Sequence, residues 1–474
     1  MKRISFLFFI LLTSFAYQSF SQVINNFAGT WEGTLKVGVD LRIVFHIKED
    51  GKGNLISTAD SPDQSAFGMA CDSTTASENE LTIIMKALKA TYSGKLKNDS
   101  LIEGTFTQGA ELPLALKKVD KPAERKRPQT LKAPFPYKSE DVIYDTKDKS
   151  LQLGATLTIP EGKGPFPAAL LITGSGPQNR DEDIMGHKPF AVISDYLTRK
   201  GFIVLRVDDR GVGKSTGDFG NATSADFAND ASSSIDYLLT RPEANKKKMG
   251  LIGHSEGGMI APMVATQRKD IDFIVLLAGP GVKIIDLMTE QNVAILRSAN
   301  ISKEATEAYL PLYKETISQI VNAPDTATAY KTADVLLQKW IVQTNEKLIT
   351  ELGMNDRKAQ HTMLSMLSNQ LSTPWFKYFL AFDPQPYLQK LDCKVLAING
   401  SKDIQVIASQ NLPGIEASLK KSKSKIYEIK ELPGLNHLFQ TCNKCTLQEY
   451  AELEETFSPV ALQLVGDWMI KNVK

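Results

Sequence analysis

Two kinds of hydrophobic pattern divide this chain. Between residues 27 and 118, apolar and polar positions alternate in short runs, at 30–35, 41–47, 81–85, 91–95 and 103–106. A period of two puts alternate side chains on opposite faces of a strand. Asp50-Gly51, between two of the runs, is a hairpin signal. Several short strands joined by polar turns predict a small antiparallel barrel or sandwich, placed at residues 22–119. The next stretch, 120–137, starts with a charged segment that contains Pro122 and Pro128 and has no apolar period. It predicts a linker.

From residue 138 to the end the pattern becomes strand–helix alternation, the mark of an α/β sheet. Strands are predicted at 141–144 and 151–159 (a hairpin), then 168–173, 202–207, 249–253 and 273–278, with helices at 189–200 and 225–240. Across 282–391 the strands stop, and Leu and Ile positions recur at helical spacing. Alternation resumes at 394–399, 405–420, 425–432 and 459–470, where Ser458-Pro459 supplies an N-cap and a first-turn proline. A helical block between two sheet strands reads as an inserted lid.

The first residues read differently. Lys2 and Arg3 precede an apolar run, 4–12, broken only by Ser5, and small residues lead to Ser19-Phe20-Ser21. That is the pattern of a secretory signal peptide over 1–21, cut after Ser21. The run is shorter than the roughly 20 apolar residues a membrane span needs. The mature protein is expected to be exported, periplasmic or extracellular, with no membrane span. Lys and Arg total 55 against 54 Asp and Glu, which removes the electrostatic case for a nucleic-acid partner. Four cysteines and five histidines are too few for a disulfide scaffold or a His-rich metal cage. Export permits disulfides, and Cys442 and Cys445, three apart, are read as a local structural pair.

Gly253-His254-Ser255-Glu256-Gly257 follows a predicted strand and precedes a predicted helix. In that setting G-x-S-x-G marks a sharp turn that exposes the serine, with glycines where a Cβ would strike neighbouring backbone. A serine hydroxyl needs a base, and the base an orienting acid, found downstream in the order acid, then histidine. Only His361 and His437 lie beyond Ser255, and His361 falls inside the helical block. His437 follows the last predicted strand, and Asp403 follows the strand at 394–399, whereas Asp392 precedes it. Ser255, Asp403 and His437 are therefore expected to be the catalytic residues. The backbone N–H groups of Glu256 and Ser175, with Gly176 as the alternative to Ser175, are expected to form the oxyanion hole. Two other motifs are set aside. Gly211-Val212-Gly213-Lys214-Ser215 lacks the glycine a phosphate-binding loop needs at Asp208. The charged run 180–183 beside His187 reads as solvated or ion-paired rather than as a metal site. No metal or organic cofactor is expected.

Taken together, Thr-Gly-Ser-Gly-Pro-Gln-Asn-Arg-Asp at 173–181, Asp-Arg-Gly-Val-Gly-Lys-Ser at 209–215, the turn at 253–258, Thr373-Pro374-Trp375-Phe376 and Asn436-His437-Leu438-Phe439-Gln440 resemble the EstD-type bacterial carboxylesterases. These are α/β-hydrolases of the serine aminopeptidase-like branch. Gly29-Thr30-Trp31 resembles the opening of lipocalin-like barrels. The resemblance implies an α/β-hydrolase fold with a helical lid after a small β domain. It also implies hydrolysis of small or short-chain acyl esters through Ser255, Asp403 and His437, with Trp375 and Phe376 near an acyl pocket. The alternatives are a serine peptidase acting on short peptides and a ligand-binding protein whose hydrolase domain is inert.

Overall fold

The computed structural model describes residues 26–37, 40–64, 66–122 and 126–474. The expected signal peptide at 1–21 lies outside the described residues. The chain forms two compact units. One runs to Lys126 and includes Ile184–Gly186; the other holds Arg127–Asp183 and His187–Lys474.

The first unit is one antiparallel sheet. Its strands are β1 (Gly29–Lys36), β2 (Asp40–Glu49), β3 (Leu55–Ser61), β4 (Ala66–Ala70) and β5 (Ser73–Ser77). β6 (Glu80–Met85), β7 (Ala90–Asn98), β8 (Leu101–Gln108) and β9 (Ala110–Val119) complete it, in the spatial order β4-β3-β2-β1-β9-β8-β7-β6-β5. Alternate side chains fill one face, and Trp31, Phe45, Tyr92 and Ile102 are fully buried there. The sheet curls into a half-barrel, with no closing ladder among the described residues: Ser57 on β3 meets Thr74 on β5 through a 2.6 Å hydroxyl contact. Alternation in the sequence sets which face is buried but not whether the two edges pair, so the expected barrel is an open one.

The second unit has eight strands: β10 (Tyr137–Asp145), β11 (Gln152–Pro160), β12 (Phe166–Ile172), β13 (Ile203–Val207), β14 (Ala244–His254), β15 (Ile271–Leu277), β16 (Lys394–Gly400) and β17 (Tyr427–Leu432). Their order is β10-β11-β13-β12-β14-β15-β16-β17. β11 runs antiparallel to its neighbours, and all pairs from β13 onward are parallel. The middle strands are buried on both faces, which explains their unbroken apolar runs. This is the α/β-hydrolase arrangement. The strand order reverses at β12, so a crevice opens at the carboxyl ends of β12 and β14, where ligands settle in such sheets.

Between β15 and β16 the chain is helical, from Ile284–Ser298 through Lys303–Val321, Thr326–Gln343, Arg357–Leu371 and Pro374–Ala381, with shorter helices between and after. Ser302, Asp325, Asn345, Asp356 and Thr373 each accept a backbone N–H at the start of the helix they precede. Among the described residues no helix is long and apolar enough to cross a membrane.

Candidate active site

β14 ends at His254, and the helix Glu256–Gln267 begins two residues later. Ser255 makes the turn at φ 53° and ψ −115°, a conformation costly for a side-chain-bearing residue. The flanking glycines are required. A Cβ on Gly253 would stand 2.0 Å from the Gly257 carbonyl oxygen, and one on Gly257 would stand 2.1 Å from that of Ile172. The Ser255 N–H is held by the Leu277 carbonyl at 2.9 Å, which locks the turn to β15.

Asp403 follows β16. Its Oδ1 accepts the N–H groups of Gln405 and Val406 at 2.8 and 2.9 Å. Oδ2 is left facing His437 Nδ1 at 2.8 Å. Both side chains are buried. The His437 loop is built on Asn436, whose side-chain oxygen accepts from Leu438 and Gln440. The structure thus joins Asp403 to His437. It brings the Ser255 turn alongside, with the His254 and His437 rings 4.8 Å apart. A Ser255 Oγ–His437 hydrogen bond is not formed among the described residues. His361 lies in the helical insertion, bonded to the Tyr330 hydroxyl at 2.6 Å.

The loop after β12 packs against the same turn: a Cβ on Gly174 would lie 3.3 Å from Ser255 Cβ. Two buried carboxyls shape this loop. Glu182 Oε1 accepts the Gly174 N–H at 2.7 Å, while Asp209 accepts the Thr173 hydroxyl and the Gln178 N–H, both at 2.8 Å. Gly174 and Gln178 are thereby committed, and the Ser175 and Glu256 N–H groups donate to no protein atom among the described residues. Burial pushes the Asp209 carboxyl up to about 8, against the pull of those two donors. Burial also raises Glu256, whose Oε1 takes hydrogen bonds from Ser224 Oγ at 2.5 Å and Trp375 Nε1 at 2.8 Å. Phe376, the next residue, lines a cavity of about 220 Å³ with Tyr309, Tyr313, Leu364 and Leu371.

The charged run at 180–183 is ion-paired. Arg180 binds Asp208, and Glu182 binds His254. His187 bonds Thr456 and the Tyr450 carbonyl. Asp208 also accepts the Lys214 N–H, closing the tight turn at 208–213. Cys442 and Cys445 form a disulfide, and Glu449 accepts the three N–H groups of residues 443–445 inside that loop. Nothing local in the sequence marks Glu182, His254 or Asp209: Glu182 sits among charged neighbours, and His254 is the unspecified residue of the turn motif.

The sequence profile described as X-Pro dipeptidyl-peptidase (S15 family) matches residues 149–413. Esterase EstD of Thermotoga maritima is 32% identical over 165 residues, which is 35% of this chain and 39% of that protein. The match therefore spans well under half the length of that relative. Among solved structures, the esterase Pf2001 of Pyrococcus furiosus aligns with a TM-score of 0.42 and 15% identity, covering 74% of this chain and 98% of that one. Est1E of Butyrivibrio proteoclasticus, solved with ferulic acid, aligns with a TM-score of 0.39 and 16% identity, covering 70% and 99%.

Proposed function

This chain belongs to the S15 family of X-Pro dipeptidyl-peptidases, and on that premise we propose that it is a serine hydrolase acting on carboxylic esters of small or short-chain acyl groups. The observation that carries the reading is the Asp403–His437 bond, 2.8 Å long and buried, beside a serine held in a strained strand-to-helix turn. In this reading His437 takes the Ser255 proton while Ser255 Oγ attacks the acyl carbonyl. The N–H groups of Ser175 and Glu256 receive the oxyanion. His437 returns the proton to the leaving alkoxide, and water then cleaves the acyl-enzyme by the same steps. Asp403 holds the ring in the tautomer that presents a bare Nε2 to serine. Each step moves a proton between groups of this chain and substrate or water, and none calls for a cofactor.

The family name favours a second reading, cleavage of short peptides. A peptidase that reads a free N-terminus needs a carboxylate to meet the substrate ammonium. Around Ser255 the carboxyls are engaged already: Glu182 with His254 and Gly174, Glu256 with Ser224 and Trp375, Asp209 with Thr173 and Gln178. Ester cleavage needs no such group. EstD, an esterase by name, supports the same side. We place Trp375 and Phe376 beside the acyl group, under the helical insertion acting as a lid, and the protein outside the cytoplasm. The Cys442–Cys445 disulfide suits an oxidising compartment.

A fluorophosphonate should label Ser255 stoichiometrically, and Ser255→Ala should abolish the label. Folded protein that takes none would point to a binding protein instead. p-Nitrophenyl esters compared with X-Pro p-nitroanilides separate esterase from peptidase, with turnover expected on the esters.

A further inference from the structure

His254 and Glu182 are almost wholly buried, at 5% and 1% exposure, and the chemistry above uses neither side chain. His254 Nε2 lies 3.0 Å from the backbone carbonyl oxygen of His437. A carbonyl oxygen only accepts, so this nitrogen bears a proton. His254 Nδ1 lies 2.9 Å from Glu182 Oε1, and the same oxygen accepts the Gly174 N–H at 2.7 Å. Read as a carboxylate, Glu182 only accepts, which makes Nδ1 a donor as well. A ring that donates from both nitrogens is an imidazolium. Burial alone would strip its charge. The Glu182 charge, its hydrogen bond and the His437 carbonyl overcome that, and the ring's pKa ends above its ordinary value.

We propose that Glu182 and His254 are positioning residues for this site: a buried carboxylate–imidazolium pair that ties together the oxyanion loop at Gly174, the Ser255 turn and the His437 loop. The proposal rests on the serine-hydrolase reading of Ser255, Asp403 and His437. Three chain segments meet at this one pair: Gly174 through its N–H, His437 through its carbonyl, and Ser255 as the residue next to His254. The His254 and His437 rings lie 4.8 Å apart, so a shift of the pair moves the base. Of the other titratable groups, Asp403 on the loop after β16 favours the charge on His254, and Asp209 after β13 feels that of Glu182.

Glu182→Gln tests this. The amide keeps the acceptor oxygen and the volume but removes the charge that holds the second proton on His254. With one proton the ring can satisfy only one of its two acceptors. Turnover of p-nitrophenyl acetate should fall about ten- to hundredfold, KM changing little, as expected when reacting groups are slightly misplaced. Glu182→Asp, which keeps the charge, should keep His254 doubly protonated where Glu182→Gln does not. A purely structural role would lower the active fraction and leave turnover per active site unchanged. After normalising to fluorophosphonate-titrated sites, an unchanged kcat in Glu182→Gln, or a KM that rises while kcat holds, overturns the proposal. A second readout is independent of turnover. Nitrogen-15 ring shifts of unmodified protein, assigned with His254→Asn, should show His254 doubly protonated above neutral pH, and a singly protonated ring overturns the proposal. Lack of any ester turnover or label in unmodified protein overturns the hydrolase reading instead, while the ring shifts still judge the pair.

Discussion

A backbone N–H donates whatever side chain it carries, so at Ser175 the residue type and the contribution separate. Gly174 and Gln178 spend their N–H groups on Glu182 and Asp209, which leaves the amides of Ser175 and Gly176 between them, Ser175 being the proposed oxyanion donor. Ser175→Ala should therefore keep most ester turnover, whereas Ser175→Pro, which deletes the donor, should lower kcat by about 10²–10³. Steady-state kinetics on p-nitrophenyl acetate with both variants checks this. Large losses in the alanine variant would transfer the role from the amide to the hydroxyl. At this scale the sequence was informative where chemistry is local. Ser255 with its glycines, Asp403 after one strand and His437 after the next are each recognisable from a few neighbours. Glu182 and His254, 72 residues apart, meet only because β12 and β14 lie side by side.

Among the elements, the helix Pro374–Ala381 has a direct hold on the serine turn. Trp375 Nε1 donates to Glu256, the residue after Ser255, across 119 residues of chain. Trp375 also stacks on Phe379 at 5.0 Å, so its ring is fixed from two sides. Trp375→Phe keeps the stacking and leaves the buried Glu256 carboxyl with Ser224 alone. Stability should fall by about 1–3 kcal/mol, the cost of a lost partner on a buried polar group. KM for esters should rise more than kcat falls, since the backbone donor of Glu256 stays in its helix. Denaturant unfolding and kinetics on one preparation test both. Helical spacing at 282–391 predicted an insertion, but nothing in that spacing says which of its aromatics reaches the sheet. Similarly, alternation predicted strands at 22–119 and was silent on whether their edges would join.

For the molecule as a whole, the raised carboxyls set a pH dependence. Asp209 titrates at about 8 when folded against an ordinary value of 3.8, so the native state holds a proton that the unfolded chain releases. Such a group adds stability that is complete below the ordinary value and is lost as pH rises towards the folded one. Glu256 acts in the same direction. Asp209→Asn, which mimics the protonated carboxyl, should flatten the decline in stability between about pH 4 and pH 8. Urea midpoints measured across that interval for both proteins decide it, and parallel curves would show that Asp209 is ionised when native.

Past Lys126 the chain is anchored at once. The Arg127 guanidinium donates to the carbonyls of Ala451 and Leu453, and the Gln129 amide donates to Phe457 while accepting from Thr456 and Phe457. A stretch that reads as spacer thus ends as a clasp on the segment that leads into the last helix. Anyone grafting a different leading module onto this fold should splice ahead of Arg127, because a junction even a few residues later would sever the clasp and release the carboxyl-terminal segment it retains.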